Sequence, residues 1–570
     1  MNLRDTLERK ISEALCAASG ENACQALINY SKSLQFGDYQ ANGVMPLAKR
    51  LGRNPRELGE EVLQQLDLGA LAEKVELAGP GFINIFISKD YLNQALASLD
   101  KTRLVPQSQE AQTIVIDYSS PNLAKEMHVG HLRGTIIGDA IARTFTWMGH
   151  KLIRQNHFGD WGTQFGMLIT FMLELDDPQA ELENLEIFYR EAKQRFDEDP
   201  EFARKSRENV VKLQSGDPQC LALWQEFIKV SIAHCQQLYS ALNITLSESD
   251  IVPESFYNDK LAGIVDSLKQ QELLQESEGA QCVFLEEFRN KDGDPLPTII
   301  QKSDGGYLYA TTDLAAIQHR CQTLAADRIL YVVDARQSLH FQQVFAVARL
   351  AGLASDSCSL EHLSYGTMMG KDGKPFKTRS GGTVKLIDLI EEGMERALKV
   401  VEEKNPTLSE DEKRSVAHTV GISAIKYADL SKNRNSDYVF DWDQMLAFEG
   451  NTAPYLLYAY ARIRSIFRKA ELDPDAEYSI VLSATEERAL ALKLLQFAEL
   501  INDLMSECFP NQLCLYLYEL SGSFMAFYEA CPVLKAEGSS KESRLGLCQL
   551  TSLTLKQGLN LLGIETLERM

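Results

Sequence analysis

The chain has 570 residues, too many for a single hydrophobic core, so several domains are expected. Its 45% hydrophobic and 24% charged residues are typical of globular proteins, no apolar run could span a bilayer, and residues 1–10 are too charged for a signal peptide. The 11 cysteines include no CxxC pair, which indicates a reducing cytoplasm and argues against a zinc site. The net charge of −22 means that nucleic acid could bind only at a local basic face.

Residues 1–110 are expected to form a first domain that mixes helices and strands. Apolar spacing over residues 3–15 predicts an amphipathic helix, and residues 75–87 are predicted to form two strands joined by a glycine turn. Period-two spacing places Phe82 and Asn84 on one face of the second strand. That face is either core with an amide at its edge or a platform on which an unpaired base can stack and form hydrogen bonds.

A second domain is expected to begin at about residue 111 with a strand, a polar turn and a helix. Residues 113–118 are β-branched and predict a buried strand. His128 and His131, with Gly130 between them, follow at the helix N-terminus, where backbone N–H groups favour an anion. An open α/β sheet binds ligands at this edge, so the unit predicts a nucleotide phosphate site. Alone, the histidine pair is as typical of a cap or a solvated face, and no GxGxxG or P-loop motif is present.

The sheet continues with a second strand–turn–helix unit over residues 151–166 and is then interrupted by an insertion at about 172–295. It is expected to resume at residues 305–314, where a strand ends and a helix begins near Asp313. Asp313 either caps this helix or lines a pocket with Tyr309, in which its carboxylate could accept two N–H bonds from a guanidinium.

Residues 366–382 are rich in glycine and basic residues. They form either a solvated hairpin or a mobile loop that brings cations to phosphates. From residue 386 to residue 570 the periodicity is almost entirely helical. On one long helix Tyr455, Tyr458 and Arg462 share a face, which is either a core stripe with a solvated arginine or a surface for unpaired bases.

The string SPNLAKEMHVGHLR, residues 120–133, resembles the arginyl-tRNA synthetase form of the HIGH signature of class I aminoacyl-tRNA synthetases. The resemblance implies an α/β fold: a Rossmann-like parallel-sheet catalytic domain over 111–385, an α+β N-terminal domain over 1–110 that grips the tRNA D-loop, and an all-α anticodon-binding domain over 386–570. It further implies ATP-dependent ligation of L-arginine to tRNA(Arg) through an arginyl-adenylate, with Mg²⁺ bound to ATP, no resident metal, and a monomer. Adenylate formation would need bound tRNA.

The resemblance also assigns roles to residues. The groups assigned to ATP and its phosphate charge are His128, Gly130, His131, Lys125, Lys374, Lys377 and Arg379. Those assigned to arginine are Ser120, Asn122, His131, Asn156, Tyr309, Asp313 and Gln337. Those assigned to tRNA are Phe82 and Asn84 at the D-loop, and Tyr455, Tyr458, Arg462, Tyr528 and Met570 at the anticodon. The second signature loop, KMSKS in the family, is degenerate here: Thr378 stands where the second lysine is usual, and Lys125 is the candidate substitute.

Two other functions remain open from the sequence. One is a different class I synthetase or another nucleotidylyltransferase with an HxGH motif, although the latter would not need the helical tail. The other is a catalytically silent tRNA-binding paralogue, which the missing loop lysine favours and the intact histidine pair disfavours.

Overall fold

The computed structural model describes residues 2–31, 33–108, 110–175, 185–377 and 384–570. The helices of these residues are α1 Leu3–Ser19, α2 Val44–Leu51, α3 Pro55–Gln65, α4 Lys89–Ala97, α5 Val129–Trp147, α6 Thr163–Met172, α7 Leu185–Glu198, α8 Pro200–Gln214, α9 Pro218–Ala241, α10 Leu261–Gln270, α11 Tyr309–Gln318, α12 Ser338–Leu350, α13 Leu386–Lys404, α14 Glu410–Leu430, α15 Trp442–Met445, α16 Ala453–Ala470, α17 Thr485–Leu495, α18 Phe497–Glu507, α19 Pro510–Ala530 and α20 Gly538–Leu561. The strands are β1 Ile28–Tyr30, β2 Tyr39–Ala41, β3 Ala72–Ala78, β4 Phe82–Ile87, β5 Thr113–Asp117, β6 Lys151–Gln155, β7 Gln275–Ser277, β8 Ala280–Val283, β9 Thr298–Gln301, β10 Arg328–Tyr331, β11 Ser359–His362, β12 Met368–Met369 and β13 Tyr438–Val439.

The N-terminal residues form an antiparallel sheet of order β1-β2-β4-β3, packed with helices α1 to α4. The predicted first helix extends to Ser19 because Asn2 caps its start and Gly20, at φ +76°, ends it in the left-handed region. The predicted strand–turn–strand over residues 75–87 is confirmed as β3 and β4.

The sheet that positions the site is parallel, in the order β11-β10-β5-β6. Asp117, the last residue of β5, lies opposite Gln155 of β6 and Tyr331 of β10. The carboxyl ends of three strands therefore form one row, and the turns that follow them face the same side. The predicted parallel α/β sheet is confirmed.

The expected strand before Asp313 is absent from the parallel sheet, and that prediction is wrong. β9 instead pairs with β8 in a separate antiparallel sheet, and the turn at Gly305 returns the chain to β9. Helix α11 then begins at Tyr309 after Leu308, so Asp313 lies inside the helix rather than at its cap. The interpretation of Asp313 as a capping residue is wrong for the same reason.

Helices α7 to α9 come after α6 and lie within the range expected to be an insertion; residues 176–184 of that range lie outside the described residues. The C-terminal third consists almost entirely of helices, as predicted. The short parallel pair of β12 with β13 joins the loop that follows β11 to this helical part. Among the described helices, none combines the length and apolar character needed to cross a membrane.

Candidate active site

The two histidines of the HVGH string form a capping box at the start of α5. The backbone N–H of Gly130 donates to Nδ1 of His128 at 3.0 Å, and the backbone N–H of His128 donates to Nδ1 of His131 at 3.0 Å. Because each Nδ1 accepts a hydrogen bond, the proton of each neutral ring lies on Nε2. The pair therefore offers two Nε2–H donors beside a helix N-terminus.

Both histidines are held neutral. Burial, together with the positive charges of Lys125 and Arg336, lowers the pKa of His128. Burial and the neighbouring His128 lower the pKa of His131 to about 3. The rings lie 4.1 Å apart, and a Cβ on Gly130 would fall 2.8 Å from the His128 ring. Glycine at this position is therefore what allows the first histidine to fold back over the helix start.

The turn between β5 and this helix is held by Ser120 and Asn156. Ser120 adopts a left-handed φ of +43°, and its hydroxyl donates to Asp117 at 2.8 Å while accepting the backbone N–H of His157 at 2.9 Å. The Asn156 side chain is fully buried; it accepts the Ser120 N–H at 3.0 Å and donates to the Tyr239 hydroxyl at 2.9 Å. Ser120 and Asn156 therefore both stabilise the turn. Their contact with arginine stays a prediction.

An internal guanidinium sits behind this turn. Arg320 is fully buried; its Nη2 donates to Asp117 at 2.7 Å and its Nε to Gln155 at 2.6 Å. Its guanidinium also lies 5.0 Å from the Tyr331 ring. Arg320 follows α11 in the chain, so this contact ties the helix that carries Tyr309 and Asp313 to the ends of β5 and β6.

The guanidinium-binding candidates lie one turn apart on α11, and the structure adds a carboxyl to them. Asp313 contacts Nε2 of His340 at 2.6 Å, and Tyr309 is 65% exposed. Glu254 is half-buried; burial and the nearby carboxyls Asp160 and Asp313 raise its pKa to about 8. Glu254, Tyr309 and Asp313 are here termed the acidic corner, in which Asp313 has the His340 ring as its partner.

A cavity of about 480 Å³ opens beside the acidic corner. Its walls come from the start of α6 and α11, from Glu254, and from the chain between β9 and α11, which includes Lys302. Asp313 is not among the lining residues, but its neighbour Thr312 is. The cavity is large enough for an amino-acid side chain, and polar side chains such as Asn258 and Thr312 lie among its apolar walls.

Sequence reasoning missed Glu254 and His340. Glu254 reaches the site because its backbone N–H donates to Phe158 at 2.9 Å, which lays residues 252–254 alongside the chain that follows β6. No motif or periodicity marks that pairing. His340 could have been found, because it lies one helical turn after Gln337.

The acidic corner and the histidine pair face the same sheet edge. The turn of residues 335–337 lies between them. The charge of Arg336 is the third cause, after burial and the charge of Lys125, that lowers the pKa of His128. Helix α12, which begins directly after this turn, carries His340, the contact partner of Asp313. Gln337 is exposed on this turn. Arg336 and His340 thus lie close together in the chain and near the two groups, and a shared active site of Asp313 and the histidine pair stays a prediction.

The basic residues of the site are exposed. Lys125 lies over the Tyr189 ring, with Nζ 4.6 Å from its centroid. Lys374 is at the tip of a hairpin closed by the hydrogen bond from Gly370 N–H to its carbonyl at 2.7 Å, and Lys377 follows it. Arg379 lies outside the described residues.

Asn122 is half-buried, and its Oδ1 accepts the backbone N–H of Ala124 at 3.0 Å. It thus shapes the start of the HVGH segment. Within the described part of the chain, no group of three or more histidine, cysteine or acidic side chains is arranged to hold a metal ion.

The tRNA-binding candidates divide into an inward-facing and an outward-facing set. Asn84 is fully buried and its Oδ1 accepts a hydrogen bond from Gln40 at 2.8 Å, whereas Phe82 is half-buried. This conformation therefore presents Phe82 and not Asn84 to a partner.

On the C-terminal helices the predicted aromatic–arginine face is present. Tyr458 is 41% exposed, Tyr455 lies 5.6 Å from the Tyr518 ring, and the Arg462 guanidinium lies 5.2 Å from the Tyr528 ring. The structure thus brings Arg462 and Tyr528 together from separate helices. Met570 is half-buried against the hydrophobic core.

Comparison with protein families agrees with this architecture. A model described as "tRNA synthetases class I (R), catalytic domain" matches residues 92–442. Models described as arginyl tRNA synthetase N terminal domain and DALR anticodon binding domain match residues 2–87 and 456–570. The catalytic part is therefore that of a class I aminoacyl-tRNA synthetase.

Relatives and solved structures narrow the assignment. The chain is 56% identical over 578 residues to arginine–tRNA ligase of Hahella chejuensis and 55% identical over 577 residues to that of Haemophilus influenzae, each match covering 100% of both chains. The crystal structure of arginyl-tRNA synthetase from Plasmodium falciparum matches with a TM-score of 0.87 at 32% identity, covering 100% of this chain and 99% of that one. The Thermus thermophilus arginyl-tRNA synthetase matches with a TM-score of 0.85 at 27% identity, covering 100% of each. The chain belongs to the arginyl-tRNA synthetases.

Proposed function

We propose that this chain ligates L-arginine to tRNA(Arg) at the expense of ATP, as a cytoplasmic monomer. The observation that carries the proposal is the acidic corner beside a cavity, where the carboxyl of Asp313 lies close enough to Glu254 to help raise its pKa. The corner lies at the same sheet edge as the HVGH pair. The silent paralogue is not favoured, because the histidine pair is intact and held in one tautomer.

The reaction has two steps at one site. The arginine carboxylate attacks the α-phosphorus of ATP, the bond to the bridging oxygen breaks, and pyrophosphate leaves with the electron pair. A ribose hydroxyl of the tRNA 3′-terminal adenosine then attacks the adenylate carbonyl and releases AMP. The protein forms no covalent bond, so it acts by positioning and charge stabilisation.

Neutral histidines suit this chemistry. The Nε2–H groups of His128 and His131 can donate to phosphate oxygens as their charge develops, while Gly130 lets the nucleotide approach the backbone. Lys125, Lys374, Lys377 and Arg379 are proposed to supply the positive charge, with Mg²⁺ arriving bound to ATP. Lys125 is proposed to take the role of the second loop lysine, whose position is occupied by Thr378 in this chain.

Arginine is proposed to be selected by the acidic corner. Its guanidinium would donate hydrogen bonds to the carboxylates of Asp313 and Glu254 and lie against Tyr309. Ser120, Asn122, Asn156, His131 and Gln337 are proposed to lie around the rest of the amino acid; of these, Asn156 would act through the Ser120 turn that it holds. An uncharged analogue would not favour the ionised form of Glu254 and would bring no charge to Asp313, so it would bind more weakly.

The tRNA is proposed to lie across both outer domains, with residues 1–110 at the D-loop and 386–570 at the anticodon. Phe82 would stack on a D-loop base, and Asn84 would reach it only after Gln40 moves. Tyr458 and the Arg462–Tyr528 pair offer stacking surfaces for unpaired anticodon bases, beside Tyr455 and the terminal Met570.

Pyrophosphate exchange with each amino acid in turn, with and without tRNA, tests the proposal. We expect exchange with arginine and, as the family resemblance implies, only when tRNA is present. Exchange with another amino acid would reject the assignment. No exchange under any condition would instead support the silent paralogue.

A further inference from the structure

A second cavity, of about 320 Å³, lies beside His128. Its walls come from residues 125–128, from helix α7 of the insertion, and from the residue that precedes α13. Four cationic side chains line it: Lys125, Arg190, Lys193 and Lys385. None of its described lining residues belongs to the acidic corner, so this cavity is separate from the proposed arginine site.

The charges in this cavity do not cancel. Lys385 is paired with Glu126 at 3.0 Å and with Glu186 at 3.6 Å, so these three groups together carry one excess negative charge. Lys125 lies over the Tyr189 ring, a contact that leaves its charge in place.

Helix α7 supplies the remaining cations. Arg190 and Lys193 are both exposed and lie one turn apart. Lys193 contacts Asp197 at 2.5 Å, but both side chains are about half exposed, at 46% and 56%, so water screens the pair. In a chain of net charge −22, a cavity with this excess of positive side chains selects an anion.

We propose that this cavity receives the β- and γ-phosphates of ATP and then the pyrophosphate that leaves, with Arg190 and Lys193 of the insertion adding to Lys125. The proposal rests on the proposed function and names the leaving-group site within it. His128 lines the cavity, so its Nε2–H donor stands at the boundary between the α-phosphate and this site.

The chemistry explains why cations are needed there. When the carboxylate oxygen bonds to the α-phosphorus, the α–β bridging bond breaks and its electron pair passes to pyrophosphate. The leaving group therefore gains negative charge in the transition state. An arginine can meet two phosphate oxygens at once, and lysines add point charges. The cationic side chains of α7 would compensate for the positive charge that is lost where Thr378 replaces a lysine in the degenerate loop.

The variants Arg190→Gln, Lys193→Gln and their double mutant test the proposal in the full-length chain. Lys205→Gln is the matched control, because Lys205 is an exposed lysine of the same insertion that does not line the cavity. We expect the KM for pyrophosphate in arginine-dependent exchange, and the inhibition constant of pyrophosphate in aminoacylation, to rise about tenfold for each cation removed. The KM values for arginine and tRNA should stay within about twofold, and Arg190→Lys should recover part of the loss.

The outcomes separate the explanations. Unchanged pyrophosphate constants in the double mutant would overturn the proposal, and a selective rise in the KM for tRNA would reassign the cavity to the acceptor strand. If the parent shows no arginine exchange, the proposed function fails. In that case, calorimetric titration of the parent and the double mutant with inorganic pyrophosphate still tests the proposed pyrophosphate site. Weaker binding by the double mutant would support the site, and equal binding by both proteins, or no binding by either, would refute it.

Discussion

Asp117 and Glu254 are both carboxyl groups at the carboxyl edge of the parallel sheet, but the protein provides a guanidinium only for the first. Asp117 is buried against Arg320 at 2.7 Å and also accepts the Ser120 hydroxyl. Glu254 is half-buried beside other carboxyls, which together with burial raise its pKa to about 8. A shielded carboxylate is costly without a partner. The fold completes the first site, and the second is left for a cationic ligand to complete.

The largest effect is expected where the internal pair is broken. Arg320→Met leaves Asp117 buried without its cation, so the free energy of unfolding should fall by about 3–5 kcal/mol. Urea denaturation measures this change. Arg9→Met, which removes one exposed arginine of an i,i+4 pair, should change the stability by less than about 0.5 kcal/mol. A loss for Arg320→Met as small as that of the control would show that Asp117 does not depend on Arg320.

The acidic corner should instead affect substrate selection. Asp313→Asn keeps the side-chain shape but removes the charge, so kcat/KM for arginine should fall on the order of a hundredfold or more while the KM for ATP changes little. Steady-state exchange kinetics provide both values. Asp259→Asn removes an 80% exposed carboxylate and should leave both unchanged. Equal losses for arginine and ATP would mean that Asp313 only supports the fold.

A smaller effect is expected in the pH dependence of arginine binding. With its pKa near 8, Glu254 is protonated below that pH in the free protein, and a bound guanidinium would favour its ionised form. Binding should therefore release a proton and tighten as pH rises from 6 to 8, by at most about tenfold per pH unit. Calorimetry in buffers of different ionisation enthalpy counts the proton.

The Glu254→Gln variant is the control for this dependence. It should bind arginine with weakened affinity and lose the proton release, because the amide does not titrate. If the parent protein shows no proton release between pH 6 and pH 8, Glu254 does not face the guanidinium.

Features that depend on local sequence patterns could be predicted, whereas the surroundings of the two carboxyl groups could not. The strand, turn and helix around His128 follow from local patterns: a β-branched run, a proline turn and helical spacing. Tyr309 and Asp313 were predicted as a pair from the spacing that the family resemblance implies, whereas the sequence placed Tyr309 on a strand and started the helix near Asp313; both residues lie on α11.

Apart from His340, the partners of the site residues could not be predicted, because they depend on long-range contacts. Glu254 comes to the site through backbone pairing with residues 156–158, nearly a hundred positions earlier. Arg320 binds Asp117 across 203 positions of chain. The inward side chain of Asn84 likewise results from its pairing with Gln40 on the neighbouring strand.

A crystal structure of the chain with L-arginine would show which side chains receive the guanidinium. We predict that the guanidinium lies within hydrogen-bond distance of both Asp313 and Glu254, against Tyr309, with Arg320 still bound to Asp117. A guanidinium bound elsewhere, with Glu254 and Asp313 left without a cation, would contradict the account.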